Sequence, residues 1–388
     1  GSEMCLSDRD ISVNKGRYNF DRVTYKIYLD PVAQREAFKG GEFDMQLVNS
    51  SRDWALDYKG DFVKKGYYLR QEFPHTRIAG MQGFAMNTRN KIFKSRKVRA
   101  ALAMVFDFEW SNKNLFYGQY TRNDCYFDNN PEMKAQGVPE GEVKAILESL
   151  RKKYKKFVPK TVLTKPLGAP GQGLSAERNL KVANSLLDSA GWKIGSDGIR
   201  SKGNNRMEFE LLLAGPGFQR IAEPYKNNLK KVGVKLDIKV VQVAEYEERL
   251  RNFKFGMIVA GYPQSRSPGN EQRYMWSSDA AETPGTRNYM GIKNPALDEL
   301  IEKIVSAKTR KQLVLNIQAL DRILTHQYYM VPHWYIAYDR AVYWNKFGRP
   351  KINASQSLVI NNVLEWWWWN RERANKLKKA RLVGTSLN

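Results

Sequence analysis

The chain has 388 residues, a formal net charge of +24 and a hydrophobic content of 42%. This length favours two lobes or domains over a single core, and the apolar content argues against global disorder. No apolar run reaches the roughly 18 residues of a membrane-spanning helix, so none is expected. The positive charge thickens in residues 151–160 and 371–382 but is otherwise spread out. Spread charge indicates a solvated surface, so no nucleic-acid partner is expected.

Cysteine and histidine are sparse and scattered. Cys5 and Cys125 form no CxxC pair, so a disulfide and two unrelated thiols are both open. His75, His326 and His333 show no HExxH spacing, and His333 in "VPHWY" suits a partly buried, hydrogen-bonded side chain. The chain also lacks a P-loop, a G-x-S-x-G elbow and a G-x-G-x-x-G turn. We therefore expect no enzyme activity, metal site or cofactor.

The first part of the chain predicts a strand, a helix and a second strand. Residues 22–29 alternate apolar and polar, residues 31–41 begin with proline and end with glycine, and residues 42–48 alternate again. Residues 80–88 predict a further strand. A helix is expected after it, because Val98 and Leu102 recur at helical spacing.

From residue 208 the order of elements becomes regular. Strands are predicted at 208–215, 234–243 and 255–262, with helices between them at 218–233 and 244–253. Such alternation indicates an α/β unit with parallel strand pairing. Two capped amphipathic helices follow at 294–307 and 309–327, then a long aromatic strand at 328–344. The indole run "EWWWWN" at 365–370 is interpreted as a core or hinge plug, with a ligand-stacking platform as the alternative.

Polar side chains follow the buried strand that ends near residue 261, in the segment "SRSPGNEQRYMW" (265–276). One interpretation is a solvated turn around Pro268 and Gly269. The other is a ligand-binding loop, because ligands of α/β units bind beyond the carboxyl ends of strands. Uncharged hydrogen-bonding groups suit a peptide backbone, and Tyr262 and Trp276 could supply apolar walls.

Four segments together resemble the family 5 extracellular solute-binding proteins of ABC importers, and most closely their microcin-C/oligopeptide-type subgroup. They are "GFAMNTRNKIFKSRKVRAALAMVFDFEWSNKNLFYGQYTR" (83–122), "SPGNEQ" (267–272), "NPALDELIEKI" (294–304) and "VPHWYIAYDRAVYW" (331–344). The resemblance covers residues 14–370. It implies an α/β, two-lobed periplasmic-binding-protein type II fold that holds a peptide or microcin-C-like compound in an interlobe cleft. It also implies export to the periplasm and delivery to an inner-membrane ABC permease.

One departure concerns the start of the chain. The family has a long stretch before "GRYNFDRVTY" (16–25), which comprises the first strands of lobe I and the inserted region II, and this stretch is absent here. We therefore expect exposed strand edges in lobe I, and a separate chain could supply the missing region. Residues 1–86 are assigned to the second part of lobe I, 87–334 to lobe III, and 335–388 to the return to lobe I with a basic tail. The alternative function is a truncated, non-transporting protein that binds an anionic partner through its basic surface.

The resemblance and the residues together predict a set of ligand contacts. They are Arg77, Met81, Gln82 and Asn87 near the first crossing between lobes, Tyr117 in "LFYGQYTR", the loop residues Tyr262, Gln264, Ser265, Ser267, Asn270, Glu271 and Gln272, and Trp334 at the return crossing. In better-known peptide binders an aspartate of this loop pairs with the peptide α-amine, and no aspartate stands here. Glu271 is the substitute candidate. Alternatively, Arg266 or Arg273 neutralises it within the loop, or pairs with a ligand carboxylate or phosphate.

Overall fold

The computed structural model describes residues 11–12, 14–351 and 363–387. Unit 1 combines the residues up to Arg77 with those from Ile336 onward, and unit 2 comprises Ile78–Tyr335. The first boundary between the two units therefore lies after Arg77, before the strand at 81–86. The sequence predicts this boundary after residue 86. The assignment of these segments to named lobes stays a prediction, and Cys5 lies outside the described residues.

Unit 1 is built on a small antiparallel sheet. Its strands are β1 (Met45–Leu47), β2 (Tyr68–Pro74), β13 (Tyr338–Trp344), β14 (Phe347–Gly348) and β15 (Trp368–Trp369), and its helices are α1 (Pro31–Gly40), α2 (Ser51–Leu56), α3 (Asp61–Lys64), α14 (Val363–Trp366) and α15 (Arg371–Val383). The sheet order is β1-β13-β2, and β14 pairs with β15 alone. The predicted helix at 31–41 is confirmed. Asp30 accepts the N–H of Val32 at its start, and Gly41 ends it at φ 88°.

The predicted strand at 22–29 does not form, which corrects the sequence interpretation. Tyr25, Ile27 and Leu29 are 79%, 90% and 101% exposed, and an open groove of about 770 Å³ separates the first part of this segment from β1. An alternating pattern becomes a strand only when a neighbouring strand supplies hydrogen bonds. Within the described chain, β1 pairs with β13 and has no second neighbour. Among the described residues, β1 is therefore an edge strand of this sheet.

Unit 2 contains most of the regular structure. Its strands are β3 (Met81–Met86), β4 (Thr121–Arg122), β5 (Lys193–Ile194), β6 (Arg200–Lys202), β7 (Asn205–Arg206), β8 (Glu208–Leu213), β9 (Lys235–Val240), β10 (Met257–Tyr262), β11 (Met330–Pro332) and β12 (Trp334–Tyr335). Its helices are α4 (Arg96–Met104), α5 (Phe108–Leu115), α6 (Gly141–Lys153), α7 (Thr161–Thr164), α8 (Ala176–Ser189), α9 (Gln219–Lys231), α10 (Val243–Arg251), α11 (Glu271–Trp276), α12 (Pro295–Val305) and α13 (Arg310–Gln327). None of the helices in the described ranges has the length and apolar character needed to cross a bilayer.

The main sheet of unit 2 has the order β11-β3-β10-β8-β9 and lies between two hydrophobic clusters. Successive strand residues alternate between them: Ile258 packs with α12 and α13, whereas Met257 packs with α4, α8 and α9. The predicted strand–helix alternation from 208 to 262 is confirmed. So is the parallel pairing, because β8 runs parallel to both β9 and β10.

Two aromatic segments differ from their predictions. The long strand expected at 328–344 is divided into β11, β12 and β13, which belong to three different sheets. A continuous apolar pattern shows that a segment is buried but does not show which neighbour each part pairs with. In the indole run, Trp367 is fully buried, which agrees with a core role, whereas Trp368 and Trp369 are 39% and 50% exposed.

Candidate functional site

Three separate stretches of the chain meet at one edge of the main sheet of unit 2. The register pairs Tyr262, the last residue of β10, with Met81, the first residue of β3. Gln82 lies opposite Gly261, and its carbonyl accepts the N–H of His333 (2.8 Å). Because β10 and β11 both run antiparallel to β3, their carboxyl ends meet at this edge. The structure therefore brings together the predicted residues at 81–82, 262–272 and 334.

Tyr262 and Trp276 form a rigid aromatic base beneath the loop. Their ring centroids are 4.5 Å apart, and both side chains are almost completely buried. The Tyr262 hydroxyl donates to the carbonyl of Arg287 (3.1 Å), which satisfies its polar group inside the protein. Both residues therefore support the loop from below, and their faces are covered by protein rather than presented as ligand walls.

Gln272 organises the loop from a fully buried position. Its Nε2 donates to Oε1 of Gln264 (2.7 Å), and its Oε1 accepts the indole N–H of Trp276 (2.9 Å). Gln272 and Trp276 lie four residues apart in α11 and therefore on the same face. This helix occupies the second half of the segment 265–276, for which the sequence predicts a turn or loop. Its buried glutamine fixes Gln264, which is half-buried, at the carboxyl end of β10.

The outer side chains of the loop are polar, and some of their oxygens already accept hydrogen bonds within the loop: Ser265 Oγ accepts the N–H of Ser267 (3.2 Å), and Asn270 Oδ1 accepts from Arg273. Ser265, Ser267, Asn270 and Glu271 are exposed. Glu271 accepts the backbone N–H of Gly269 (2.9 Å), so its carboxylate closes the turn. The arrangement offers one carboxylate among neutral hydroxyl and amide groups, which suits hydrogen bonding to a peptide backbone or amine.

One of the two loop arginines, Arg273, pairs with an acid outside the loop. Arg273 forms a bidentate pair with Glu302 (2.8 and 2.6 Å), and the backbone carbonyl of Arg266 accepts a hydrogen bond from Arg310. The pairing of Arg273 with Glu302 belongs to the packing of α11 on α12. This leaves Glu271 as the acid of the loop, with Gly269 and Gln272 as its described partners.

Two predicted contacts have structural partners within their own units. Asn87 follows the last residue of β3, and a strand of six residues carries its two ends to opposite edges of a sheet. Its buried amide donates to the carbonyls of Phe253 (3.0 Å) and Phe255 (2.9 Å), so it anchors that loop. Arg77 belongs to unit 1, where it forms a bidentate pair with Asp339 (2.9 and 2.5 Å). Both side chains have structural partners that the sequence pattern could not reveal.

The other predicted contacts differ in accessibility. Met81 is buried in the core, whereas Gln82 is half-buried at the edge. Trp334 is half-buried and packs against Phe116, with ring centroids 4.4 Å apart. Tyr117 is 44% exposed on the neighbouring loop and has a positive φ of 60°. Whether these side chains touch a ligand stays a prediction.

A buried polar cluster that the sequence interpretation missed holds the chain just before β3. Asp128 is fully buried, its carboxylate accepts the N–H of Asp124 (3.0 Å), and its backbone pairs with Ala79. Ligand atoms of Asp124, Cys125 and Asp128 lie within 4.8 Å of one another, which could suit a metal ion. However, Lys134 Nζ already contacts both carboxylates (2.7 and 2.9 Å), which favours a structural ion cluster. The sequence signal for it is the acid-rich "NDCYFD" (123–128) among aromatic residues.

Replacing Gln272 by leucine is expected to destabilise unit 2 by about 1–3 kcal/mol, because it leaves Gln264 and the buried indole N–H of Trp276 without their partner. Urea denaturation followed by tryptophan fluorescence measures this change. The matched control is Ser267→Ala at an exposed position of the same loop, with an expected change within about 0.5 kcal/mol. Equal stability of the two variants would contradict the described network.

Comparison with known proteins identifies relatives of this chain. The sequence profile of the bacterial extracellular solute-binding proteins, family 5 Middle, matches residues 12–284. Uncharacterized protein y4wM of Sinorhizobium fredii is 37% identical over 347 residues, which cover 88% of this chain and 51% of the relative. The "probable peptide-binding protein YejA" of Agrobacterium fabrum is 34% identical over 348 residues, with 88% and 56% covered. The oligopeptide-binding protein AppA of Bacillus subtilis, solved with a nonapeptide, aligns with a TM-score of 0.64 at 20% identity, with 90% and 60% covered.

These matches define the fold and the family. AppA supports the fold, which is the α/β fold of type II periplasmic binding proteins, as expected from the sequence. The chain spans just over half the length of the two curated relatives, so the activity and partners of a whole relative are not transferred with the match. The family profile covers well over half of the chain. The chain therefore belongs to the family 5 bacterial extracellular solute-binding proteins.

Proposed function

We propose that this chain is the ligand-binding component of an ABC importer, and that it captures oligopeptides or peptide-like compounds. The observation that carries the proposal is the sheet edge of unit 2, where the loop at 263–270 presents neutral hydrogen-bonding groups and the Glu271 carboxylate. The peptide-binding description of the Agrobacterium relative and the nonapeptide in AppA support a peptide ligand. A microcin-C-like compound is a narrower form of the same proposal.

The chemistry of the loop suits ligands of varied sequence. Peptide binders that tolerate different side chains gain affinity from hydrogen bonds to the ligand backbone, which every peptide offers. Ser265, Ser267 and Asn270 provide such groups, and the buried base of Tyr262, Gln272 and Trp276 holds them in place. A preorganised loop loses less conformational entropy when a ligand binds.

The proposed cellular role follows from the family. Its members are extracellular solute-binding proteins, so we expect this protein to be exported to the periplasm and to deliver its ligand to an inner-membrane permease. This role consists of binding and delivery and requires no catalytic step.

The test of the amine contact is isothermal titration calorimetry with short peptides that carry a free α-amine or an acetylated one. Glu271→Gln is expected to weaken binding of the free-amine peptides about tenfold, because a charge-assisted hydrogen bond is lost. Binding of the acetylated peptides should stay unchanged. The control is Glu148→Gln, which alters an exposed acid on α6.

The possible outcomes separate two claims. Unchanged affinity of Glu271→Gln for free-amine peptides would exclude the amine contact but leave the peptide receptor intact. Failure of the unmodified protein to bind any peptide of a mixed library would overturn the proposed function itself.

A further inference from the structure

The C-terminal helix α15 carries six basic residues and one acid in thirteen positions. Its inner face is fixed, since Leu377 and Ala380 are buried in the hydrophobic core of unit 1. Side chains of a helix advance by about 100° per residue, so Arg371, Lys378 and Lys379 lie on the opposite side. All three are exposed. The helix therefore presents a basic face away from the core.

This charge is not neutralised by the helix itself. Glu372, the one acid of α15, pairs with Lys376 (2.8 Å). Arg373 donates to the carbonyl of Phe347 (2.9 Å), and the Arg381 guanidinium lies 4.5 Å from the ring centre of Trp344. In the part of the chain that the structure describes, the three cations of the outer face have no hydrogen-bond or ion-pair partner. They are available for an external anionic surface.

Large apolar side chains lie next to these cations. Leu382 and Val383 at the end of the helix are 80% and 74% exposed, and Leu382 falls on the same stripe as Lys378 and Lys379. Trp369, one residue before the helix cap, is half exposed. A solvated lysine face needs no exposed leucine, valine or indole. Cations beside exposed aliphatic and indole groups are the composition of helices that lie at a membrane interface.

We propose that the outer face of α15, defined as Arg371, Lys378, Lys379, Leu382 and Val383, docks this protein on the surface of an anionic phospholipid membrane. The cations would contact the lipid headgroups, and the two aliphatic side chains would insert at the boundary between headgroups and acyl chains. An anionic membrane engages both the cations and the aliphatic pair, whereas a nucleic acid engages the cations alone. This docking does not depend on which ligand the protein carries.

The experiment is co-sedimentation of the full chain with vesicles of phosphatidylcholine alone or mixed with phosphatidylglycerol. The unmodified protein is expected to bind only the anionic vesicles and to dissociate as salt is raised. Lys378→Glu/Lys379→Glu should bind them at least tenfold more weakly, because each cation near an anionic surface contributes measurably to partitioning. Leu382→Ser/Val383→Ser should also weaken binding, at unchanged charge.

The matched control is Lys155→Glu/Lys156→Glu, an exposed lysine pair in the other basic stretch of the chain. It changes the net charge by the same amount and is expected to bind like the unmodified protein. Equal losses in both lysine variants would show that binding follows total charge, and the proposal would fail. It would also fail if the unmodified protein ignored anionic vesicles at low salt. The Lys378→Glu/Lys379→Glu variant could also lose retention on heparin while it binds vesicles like the unmodified protein. That result would overturn the membrane proposal and indicate a polyanion as the partner of this face.

Discussion

Gly83→Ala is expected to destabilise unit 2 by at least about 3 kcal/mol, enough to reduce the yield of folded protein sharply. A Cβ atom at position 83 would lie 2.2 Å from the backbone oxygen of Val331. That oxygen belongs to β11, and β3 is held between β11 and β10, so neither neighbour can move away without breaking a ladder. Glycine in a strand often marks such a close approach of another backbone.

The matched control is Gly261→Ala in the adjacent strand β10. A Cβ atom there meets no other atom within 4 Å, so the change in stability is expected to lie within about 0.5 kcal/mol of zero. Circular dichroism during urea denaturation compares the two variants. If Gly83→Ala were as stable as Gly261→Ala, the described pairing of β3 with β11 would be wrong.

Acidification is expected to destabilise unit 2 through two buried histidines. Burial and, to a smaller extent, the nearby charge of Arg122 lower the pKa of His333 from its ordinary value of 6.5 to about 3. Burial likewise lowers the pKa of His326 to about 3, with Arg322 and Arg96 contributing. In the unfolded chain both histidines take up protons near pH 6.5, whereas the folded state resists protonation. Each therefore lowers the free energy of unfolding by about 1.4 kcal/mol per pH unit as the pH falls from about 6 toward 3.

Asp321 acts in the opposite direction and must be included in the pH balance. Burial raises its pKa to about 7, and the negative charges of Asp128 and Asp124 contribute to the increase. A carboxyl group with a raised folded-state pKa gains stability as the pH falls between about 7 and 4. Burial likewise raises the pKa of Asp128 to about 6. The two carboxyl groups together therefore offset much of the histidine contribution between about pH 6 and 4.

A single-site variant isolates the histidine contribution. His333 is fully buried, and neither of its ring nitrogens has a hydrogen-bond partner in the described structure. His333→Leu therefore removes the titration without breaking a hydrogen bond. Urea denaturation at about pH 7, 6 and 5 should show a shallower loss of stability with acid for the variant, by about 0.7 kcal/mol between pH 7 and 6 and about 1.2 kcal/mol between pH 6 and 5. The same pH slope in both proteins would show that His333 is not buried as described.

Much of unit 2 could be predicted because its signals are local. The strand–helix alternation between 208 and 262 depends on periodicity and caps, which short stretches of sequence contain. The failure at 22–29 has a different origin, since the alternating pattern is present but a hydrogen-bonding neighbour is not. The aromatic segment at 328–344 failed for a related reason, because its parts pair with three different sheets.

The candidate site was predicted only in outline. The position of the loop after β10 follows from sequence order, and the register then brings Met81 and Gln82 to the same edge. The partners of individual side chains depend on contacts between distant residues. Asn87 bonds to the 253–255 loop, Arg273 pairs with Glu302, and Arg77 pairs with Asp339. A single sequence contains no signal for such pairs, so several predicted contacts proved to have structural partners.

The most direct test of the account is mass spectrometry of the small molecules released from this protein after native purification from its own organism. A peptide receptor that binds through ligand backbone groups should release a mixture of short peptides or peptide-like compounds. Glu271→Gln, purified in the same way, should release fewer peptides with a free α-amine. Release of a single non-peptide compound, or of nothing above the level of a control protein, would contradict the proposal that the chain is a peptide-binding receptor.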